Sequence, residues 1–497
     1  MKKLYYHSCS CATPHMGVLI NSIKNSLHRG DDVVFAYCDG IMTSCFKNPS
    51  ANPACCQLCK FAYKNVIRKQ LSGVALYPIR SVKGNNTLVD FEYKSISELK
   101  QITYRGVNIG LSVLSLYFTL TRNIDFPITS QHKKYFDYIL KECRILTDKA
   151  FELIEELKPD CIAKYNGRYY ENRMFYDIAN MLGLKFESNE VVGGYNESVY
   201  PVIFNDCLPH DVHFFSRKAR EVWRLNTLPE ESKREMASAF FEKRRRGVAI
   251  CDKAYVKEQN EGELPKIVAN KKNIVIFNSS SDEIAAIGGE WDSKSLFNTQ
   301  YAAISYILDH ISSDFHVYLR IHPNLKGVDQ THHTDLYKLG EKYNNITIIA
   351  PEETISSYAL LDIADKVVVF GSTMGVEACY WRKPVVLIGN AFYIDLDVCY
   401  PANNKEELIS LLEENLKAKD IQGALFYSNF LLDREYRTEY LNDGIDLNPH
   451  NHKIFGEHYQ TYSSLSVFGS EIIFKVIEVF YRIFLKFFIK DKNKLVR

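Results

Sequence analysis

Residues suited to bind a phosphate and a diol occur together between Ala364 and Gly389, in the sequence ADKVVVFGSTMGVEACYWRKPVVLIG. Ser372 and Thr373 follow an apolar run, and their hydroxyls and backbone N–H groups suit an anion at the start of a helix. Glu377 comes one helical turn later, where we expect its carboxylate to accept from ribose hydroxyls. Because a nucleotide-sugar presents both a phosphate and a diol, the pattern predicts a glycosyltransferase with such a donor.

Two further groups of polar residues follow apolar runs in the same half of the chain. Ser279 and Ser280 come after the run Ile274–Phe277, where a plain polar strand-to-helix turn is the alternative interpretation. Arg320 and His322 alternate at the end of another run, so both side chains should lie on one face. A neutral histidine there can donate to a phosphate or a base carbonyl, and a charged one can stabilise a leaving phosphate. The predicted donor-binding residues are therefore Ser279, Ser280, Arg320, His322, Ser372, Thr373 and Glu377.

The elements that carry these residues alternate between strands and helices. Lys3–His7 and Val33–Tyr37 are strand-like, and a helical face that ends at Gly30 lies between them. Val367–Phe370 and Val385–Ile388 are apolar without alternation, which is typical of parallel strands covered on both faces. The pattern predicts an α/β fold with parallel sheets.

Length, charge and cysteine content narrow the class of protein. A chain of 497 residues is too long for one core, so we expect two domains. The formal net charge of +1 gives no reason to expect nucleic acid as a partner. No apolar leader follows Met1, so the thirteen cysteines are expected to be reduced thiols in the cytoplasm.

The pieces together resemble the donor domain of capsule and O-antigen polysaccharide glycosyltransferases of the GT-B type. His322-Pro323 and Ser372-Thr373 are also similar to elements that contact a CMP-sugar in bacterial sialyltransferases and Kdo transferases. The resemblance implies two Rossmann-like domains facing a cleft. It also implies inverting transfer that requires no metal or other cofactor for catalysis.

The resemblance and the composition together predict four segments. These are an acceptor-side Rossmann-like domain at 1–251 with a Cys-rich loop at 38–59, a charged linker at 252–272, a nucleotide-sugar-binding Rossmann-like domain at 273–430, and a C-terminal extension at 431–497. Within the extension, 471–490 is apolar apart from one polar stripe and precedes a basic tail. This pattern favours an amphipathic helix on an anionic membrane surface, with a closing helix packed across the domains as the alternative. The expected location is the cytoplasm, peripheral on the inner face of the cell membrane.

Four residues of the first half also belong to the resemblance, which implies acceptor-side duties for Asn166, Arg168, His210 and Asp211. Read physically, the Asn-Gly pair at 166 is also simply a good turn. Asp211 is likewise well placed to cap the start of a helix.

Two residues near the N-terminus are candidates for the catalytic base that deprotonates an acceptor hydroxyl. His15 lies between the first strand and the first helix, and Asp39 follows the second strand. Asp39-Gly40 is similar to the acidic-Asp-Gly element that supplies the base in bacterial sialyltransferases, with Cys38 here in place of the acidic residue. A carboxylate or an imidazole suits this role, and Asp39 is the preferred candidate.

The cysteines between 38 and 59 suggest a structural metal. Cys56 and Cys59 have the spacing of a zinc knuckle, and Cys38 and Cys45 complete four thiolates. Free cysteines, a redox pair and an iron–sulfur cluster are the alternatives. We expect structural zinc, without a catalytic role.

The predicted function is transfer of a sugar from a nucleotide-sugar to a lipid-linked or growing glycan in bacterial surface polysaccharide synthesis. A CDP-polyol phosphotransferase of the teichoic-acid type, a sugar-nucleotide epimerase and a non-catalytic scaffold with the same fold are the alternatives.

Overall fold

The computed structural model of the chain separates into two compact units. Unit 1 comprises Met1–Thr121, Phe126–Pro209 and Arg437–Arg497, and unit 2 comprises Arg122–Asp125 and His210–Tyr436. The residues that the structure describes are 1–8, 15–45, 56–57, 59–60, 63–64, 67, 70–80, 91–191, 201–248, 250, 255–328, 330–432, 447–448, 451–454 and 457–459.

Unit 1 is built on a six-stranded sheet with the order β3-β2-β1-β6-β7-β8. Its strands are β1 (Lys2–His7), β2 (Asp32–Cys38), β3 (Ala75–Ile79), β6 (Cys161–Tyr165), β7 (Lys185–Val191) and β8 (Pro201–Asn205), while β4 (Thr103–Tyr104) and β5 (Val107–Asn108) pair separately. Neighbours in the large sheet are parallel except for β7 and β8, which are antiparallel. The two predicted N-terminal strands lie within β1 and β2.

Helices cover both faces of the unit 1 sheet. They are α1 (His15–His28), α2 (Ile96–Lys100), α3 (Ile109–Thr121), α4 (Ser130–Leu157) and α5 (Tyr170–Leu182). Tyr5 and Tyr6 are neighbours on β1, so their side chains point to opposite faces. The Tyr5 hydroxyl is 2.8 Å from the Ser26 hydroxyl on α1, and the Tyr6 ring stacks on Phe175 of α5 at 4.2 Å.

Unit 2 contains a second six-stranded sheet, with the order β11-β10-β9-β12-β13-β14. Its strands are β9 (Lys272–Phe277), β10 (Phe315–Arg320), β11 (Ile346–Ile349), β12 (Lys366–Val369), β13 (Val385–Leu387) and β14 (Tyr400–Pro401), and all neighbours are parallel. The predicted runs at 274, 367 and 385 form β9, β12 and β13. Their valines and isoleucines are fully buried, as expected for strands covered on both faces.

Both large sheets have the strand order of the Rossmann fold. When the strands are numbered within each large sheet, the order is 3-2-1-4-5-6 in both. The predicted α/β class with two Rossmann-like domains is therefore confirmed, while the predicted cleft between the domains stays a prediction.

The helices of unit 2 begin before its sheet. They are α6 (Val212–Leu225), α7 (Glu230–Arg245), α8 (Glu290–Ser293), α9 (Gln300–His310), α10 (Thr331–Lys342), α11 (Ser357–Ile363), α12 (Met374–Tyr380), α13 (Lys405–Glu413) and α14 (Gln422–Leu432).

This grouping corrects the predicted boundary at 251, because α6 and α7 belong to unit 2 and not to the first domain. Trp223 of α6 is in a buried cluster with Leu425 of α14, and Phe241 of α7 stacks on Tyr380 of α12 at 4.2 Å. The apolar faces of both helices are buried by these contacts. The boundary between the units therefore depends on how the helices pack. The loss of hydrophobic periodicity at 252–272 gives no information about that packing.

The C-terminal extension is described only as three short antiparallel strands, β15 (Leu447–Asn448), β16 (Asn451–Ile454) and β17 (Glu457–Tyr459). The predicted amphipathic helix at 471–490 lies outside the described residues. Within the part of the chain that is described, no helix is long and apolar enough to cross a membrane.

Candidate functional site

A cleft opens in unit 2 where strands β9, β10 and β12 end. It encloses about 670 Å³, including its open mouth. Residues just past the strand ends line it: Asn278 after β9, His322 after β10, and Ser372 and Thr373 after β12. In this strand order β9 and β12 flank the point where the order reverses, which is where open α/β sheets bind ligands.

The turn after β12 depends on two glycines. Gly371 has φ +91°, and a Cβ there would lie 2.7 Å from the carbonyl oxygen of Asn390. A Cβ on Gly375 would collide with the hydroxyl of Tyr393, which donates to the carbonyl of Ser372 at 2.5 Å. The Gly-Ser-Thr-Met-Gly sequence is thus the one that lets this backbone turn tightly and present both hydroxyl residues to the cleft.

His322 is held in one orientation and one protonation state. Its backbone N–H donates to Asn278 Oδ1 at 2.7 Å, and its Nδ1 accepts from the backbone N–H of Asn324 at 3.1 Å. Burial lowers the pKa of His322 to about 4, and the nearby Arg122 and Arg320 contribute in the same direction. The imidazole is therefore neutral near pH 7, with its proton on Nε2. Of the two predicted roles, the geometry favours the neutral donor over the cation.

Arg320 is a buried cation with donors committed to carbonyl groups. It is 2% exposed, and its two terminal nitrogens donate to the carbonyls of Ala350 at 2.7 Å and Glu353 at 3.1 Å. Its Nε has no hydrogen-bond partner among the described residues, although Arg320 lines the cleft. Burial lowers the pKa of the guanidinium. The side chain therefore orders the 350–353 loop and retains a buried donor.

Glu377 lines the cleft as part of a buried network. It is 1% exposed, and its Oε1 accepts from Arg244 Nε at 3.1 Å while its Oε2 accepts from the Tyr358 hydroxyl. Burial, and next the Glu377 charge, raise the pKa of Tyr358. Each carboxylate oxygen has a second lone pair, so the predicted ribose contact stays a prediction. In addition, Glu377 neutralises a cation inside the cleft.

Several lining residues were not predicted from the sequence. Among them, Arg244 lies at the basic C-terminal end of α7, and Tyr255 and Gln259 lie in the predicted linker. The Tyr255 ring meets the His322 ring edge-on at 5.3 Å, and Gln259 Oε1 accepts from the Ser357 backbone N–H at 2.7 Å. The 255–259 segment is therefore a wall of the cleft, which corrects its interpretation as a linker. In the sequence, the aromatic residue Tyr255 among charged residues was the signal that this segment could line a site.

Asn278, rather than Ser279 or Ser280, is among the described residues that line the cleft. The backbone of Ser279 is bound by Gln300, whose Nε2 donates to its carbonyl at 2.9 Å. The chain then turns into a short 3₁₀ helix over Ser281–Glu283. The predicted donor contacts of Ser279 and Ser280 stay a prediction.

The two candidate bases both lie in unit 1. Asp39 directly follows β2, and its carboxylate is paired with Arg80 Nε at 2.6 Å and Lys60 Nζ at 3.7 Å. His15 is the first residue of α1. The predicted base must therefore release two cations if it is Asp39, and the assignment stays a prediction.

The four predicted acceptor-side residues separate between the units. In unit 1, Asn166 adopts φ +57°, accepts from the Arg168 backbone N–H at 2.7 Å and donates to Glu190, as a turn residue does. In unit 2, Asp211 caps α6 by accepting from the Phe214 N–H at 2.6 Å. The neighbouring His210 accepts from Trp291 Nε1 at 2.9 Å through its carbonyl. These contacts are structural, and His210 and Asp211 belong to unit 2 rather than to the predicted acceptor-side domain. The acceptor-side roles of the four residues stay a prediction.

The cysteines Cys38, Cys45, Cys56 and Cys59 form no disulfide bond with one another. Among the described residues, which include all four, no three His, Cys, Asp or Glu side chains are grouped as metal ligands. Burial raises the pKa of Cys38 to about 12, with smaller contributions from Cys59 and Cys45. The predicted zinc site therefore has no preformed ligand geometry within the described part of the chain and stays a prediction.

Several solved structures are distantly similar to the chain. The KpsC beta Kdo 2,4 transferase of Thermosulfurimonas dismutans is 13% identical, with 55% of this chain and 79% of that chain covered at a TM-score of 0.35. The UDP-GlcNAc 2-epimerase from Neisseria meningitidis bound to UDP-GlcNAc is 11% identical, with 87% and 97% covered at a TM-score of 0.30. These scores are low, so the fold assignment rests on the strand order of the two sheets.

A family model supplies the more specific similarity. No curated protein matches the chain. Residues 234–401, however, match the model described as capsule polysaccharide biosynthesis protein. This segment starts within α7, ends at β14 and contains every residue that lines the cleft. Residues 234–401 are therefore similar to the capsule polysaccharide biosynthesis family, in agreement with the predicted resemblance.

Proposed function

We propose that the protein is a glycosyltransferase that moves a sugar from a nucleotide-sugar to a lipid-linked or growing glycan in capsule polysaccharide synthesis. The observation that carries the proposal is a set of groups in the unit 2 cleft whose chemistry suits a phosphate. These are the Nε2–H of neutral His322, the guanidinium of Arg320 and the hydroxyls of Ser372 and Thr373. The family match over 234–401 supports the assignment to capsule synthesis.

The balance of charge in the cleft favours a donor with one phosphate. Arg244 is paired with Glu377 at 3.1 Å, and His322 is neutral because of its burial. Arg320 is hydrogen-bonded to carbonyls and keeps its charge for a ligand. One available cation among the described cleft residues suits the single negative charge of a nucleoside monophosphate-linked sugar better than the charges of a diphosphate. We therefore place CMP-linked donors ahead of UDP-, GDP- and CDP-linked ones.

In the proposed reaction the acceptor hydroxyl attacks the anomeric carbon while the bond from that carbon to the phosphate oxygen breaks. Negative charge grows on the departing phosphate, where the His322 and Arg320 donors stabilise it. The acceptor hydroxyl must lose its proton, and Asp39 and His15 are the proposed bases. Inversion at the anomeric carbon and independence of a metal are parts of this proposal.

Two further proposals concern regions outside the cleft. The segment 471–490, outside the described residues, is proposed to hold the protein on the anionic inner surface of the cell membrane. Zinc is proposed as a structural ion bound by Cys38, Cys45, Cys56 and Cys59, because metal binding can organise thiolates that are apart without it.

The test is a thermal-shift comparison of the wild type and His322→Ala with CMP, CDP, UDP and GDP. We expect one nucleotide to raise the Tm of the wild type, since a ligand at 100 times its Kd stabilises by about 2.7 kcal/mol. His322→Ala should lose this shift. His310→Ala, which removes an exposed histidine of α9, is the matched control and should keep it.

The outcomes separate the alternatives. No shift with any nucleotide in a folded protein would overturn the proposed function and favour a scaffold. A shift with CDP alone would favour transfer of a polyol phosphate. A shift that survives His322→Ala would show that this histidine does not bind the phosphate.

A further inference from the structure

A second polar group lies in unit 2, next to the His322–Asn324 turn at the cleft. It consists of Asp282, His332 and Arg122, which we call the Asp282 subsite. Asp282 belongs to the loop after β9, His332 to α10, and Arg122 to the short segment 122–125 that groups with unit 2. None of the three was singled out by its sequence pattern, because they are far apart along the chain.

Asp282 is a buried carboxylate with one engaged oxygen. It is 5% exposed, and its Oδ2 is paired with Arg122 Nε at 3.1 Å. Its Oδ1 is also buried and has no hydrogen-bond partner among the described residues. A buried acceptor left without a donor is costly, so it points to a ligand or an ordered water.

His332 has the same character. Both ring nitrogens are buried, and neither has a hydrogen-bond partner within the described part of the chain. Burial lowers the pKa of His332, while the charge of Asp282 acts in the opposite direction. A neutral imidazole offers one donor and one acceptor. Asp282 and His332 together therefore present two acceptors and one donor that the described residues do not use.

Arg122 connects this group to the cleft. While its Nε pairs with Asp282, its Nη1 donates to the carbonyl of Asn324 at 2.7 Å. Asn324 in turn donates its backbone N–H to His322 Nδ1 at 3.1 Å. The proposed phosphate donor His322 and the Oδ1 atom of Asp282 are thus fixed on one continuous hydrogen-bonded frame.

The chemistry of the group selects its ligand. The carboxylate is already neutralised by Arg122, so a cation gains little, and the second carboxylate oxygen disfavours an anion. A carboxylate acceptor beside an imidazole suits neutral hydroxyl groups, which donate and accept at once. Within a nucleotide-sugar the sugar directly adjoins the phosphate.

We propose that the Asp282 subsite binds hydroxyl groups of the sugar that is transferred. This inference rests on the proposed function, because it takes the phosphate to lie at His322. Asp282 and His332 then decide which sugar is accepted, since a sugar without a hydroxyl at these positions leaves both groups unpaired.

The test compares each nucleotide with its own sugar conjugate by calorimetric titration. The pairs are CMP with CMP-N-acetylneuraminate, and UDP with UDP-N-acetylglucosamine. The variants are Asp282→Asn and His332→Phe, and the matched control is Asp314→Asn, an exposed aspartate before the start of β10. The Kd of the sugar conjugate should rise by about tenfold or more in Asp282→Asn, which removes a charged acceptor, and by about twofold to tenfold in His332→Phe, which removes a neutral hydrogen-bonding group.

The Kd of the free nucleotide should stay within about twofold in His332→Phe, because this change leaves in place the Arg122 and Asn324 contacts that orient His322. In Asp282→Asn, which also weakens the Arg122 pair, the Kd of the sugar conjugate should rise by more than that of the nucleotide. Equal loss of nucleotide and conjugate would assign the residues a structural role and overturn the inference. Unchanged binding of both ligands in both variants would also overturn the inference. If no nucleotide binds the wild type, the proposed function itself fails, which distinguishes the two failures. His332→Phe keeps an aromatic ring at this position and leaves the Arg122 pairing intact. If Asp282→Asn unfolds, the binding data of His332→Phe therefore still test the inference.

Discussion

Units 1 and 2 share one strand order but differ in the residues that come directly after their strands. In unit 2 the residues after β9, β10 and β12 line a cleft, and Arg320 keeps a buried donor that no described residue satisfies. In unit 1 the carboxylate of Asp39 is paired with two cations, and Asn166 is engaged in its own turn. The same topology therefore supplies equivalent positions in both units, and the side chains decide which of them is ready to bind a ligand.

The difference also bears on the proposed roles of the units, which are donor binding in unit 2 and proton removal in unit 1. The proposed donor site needs groups that are ordered before the ligand arrives, as the unit 2 cleft has them. The proposed base in unit 1 is instead held by an ion pair that must open. Substitutions in the unit 2 cleft should therefore change donor affinity and protein stability. Substitution of the proposed base in unit 1 should instead lower only the rate of the chemical step.

The largest effect is expected from Asp39→Asn. If Asp39 is the base, the rate of sugar transfer should fall by about 10²–10⁴-fold, the usual contribution of general base catalysis. The Kd of the donor should not change, because the donor groups are in unit 2. Asp32→Asn, at the exposed opposite end of the same strand, is the control and should keep full activity. A fully active Asp39→Asn enzyme would leave His15 as the remaining candidate.

A smaller effect, on stability, is expected from Glu377→Ala. Removing the carboxylate leaves the charge of the Arg244 guanidinium, whose side chain is 14% exposed, without the counter-charge of Glu377. We expect a loss of about 3–5 kcal/mol in the free energy of unfolding, measured with urea. The neighbouring pair Arg245 and Asp362 is more exposed, at 32% and 51%, and Asp362→Ala should cost less. If Glu377→Ala and Asp362→Ala lose the same free energy of unfolding, the Arg244–Glu377 pair does not behave as a buried ion pair.

The smallest effect is expected from Gly371→Ala, which distorts the turn of the cleft. Gly371 and Gly389 both have φ +91°, but a Cβ would meet the Asn390 carbonyl only at Gly371. Backbone strain costs about 1–3 kcal/mol in either variant. Gly371→Ala should in addition weaken nucleotide binding, measured by calorimetry, because Ser372 must shift. If Gly389→Ala weakens binding equally, strain alone explains the result, and the close approach is irrelevant.

Sequence patterns located the strands and their ends well. The predicted run Val367–Phe370 is β12 within one residue, and the residues placed after strand ends, His322 and Ser372, do line the cleft. After β9, Asn278 lines the cleft, whereas the predicted donor contacts of Ser279 and Ser280 stay a prediction. Runs of buried apolar residues and tight Gly-Ser-Thr turns are local properties, so they can be recognised without knowing the rest of the molecule.

The α/β class, the parallel strands and the polar residues at their carboxyl ends thus follow from the chain's local patterns. Long-range packing, in contrast, decided that Arg244, 133 residues before Glu377, is its partner, and that Arg122, 202 residues before Asn324, holds the turn of His322. It also decided the neutral state of His322, since burial sets that pKa. The reason is physical: a strand end is specified by neighbours in the chain, whereas an ion pair or a buried charge depends on which distant elements pack together.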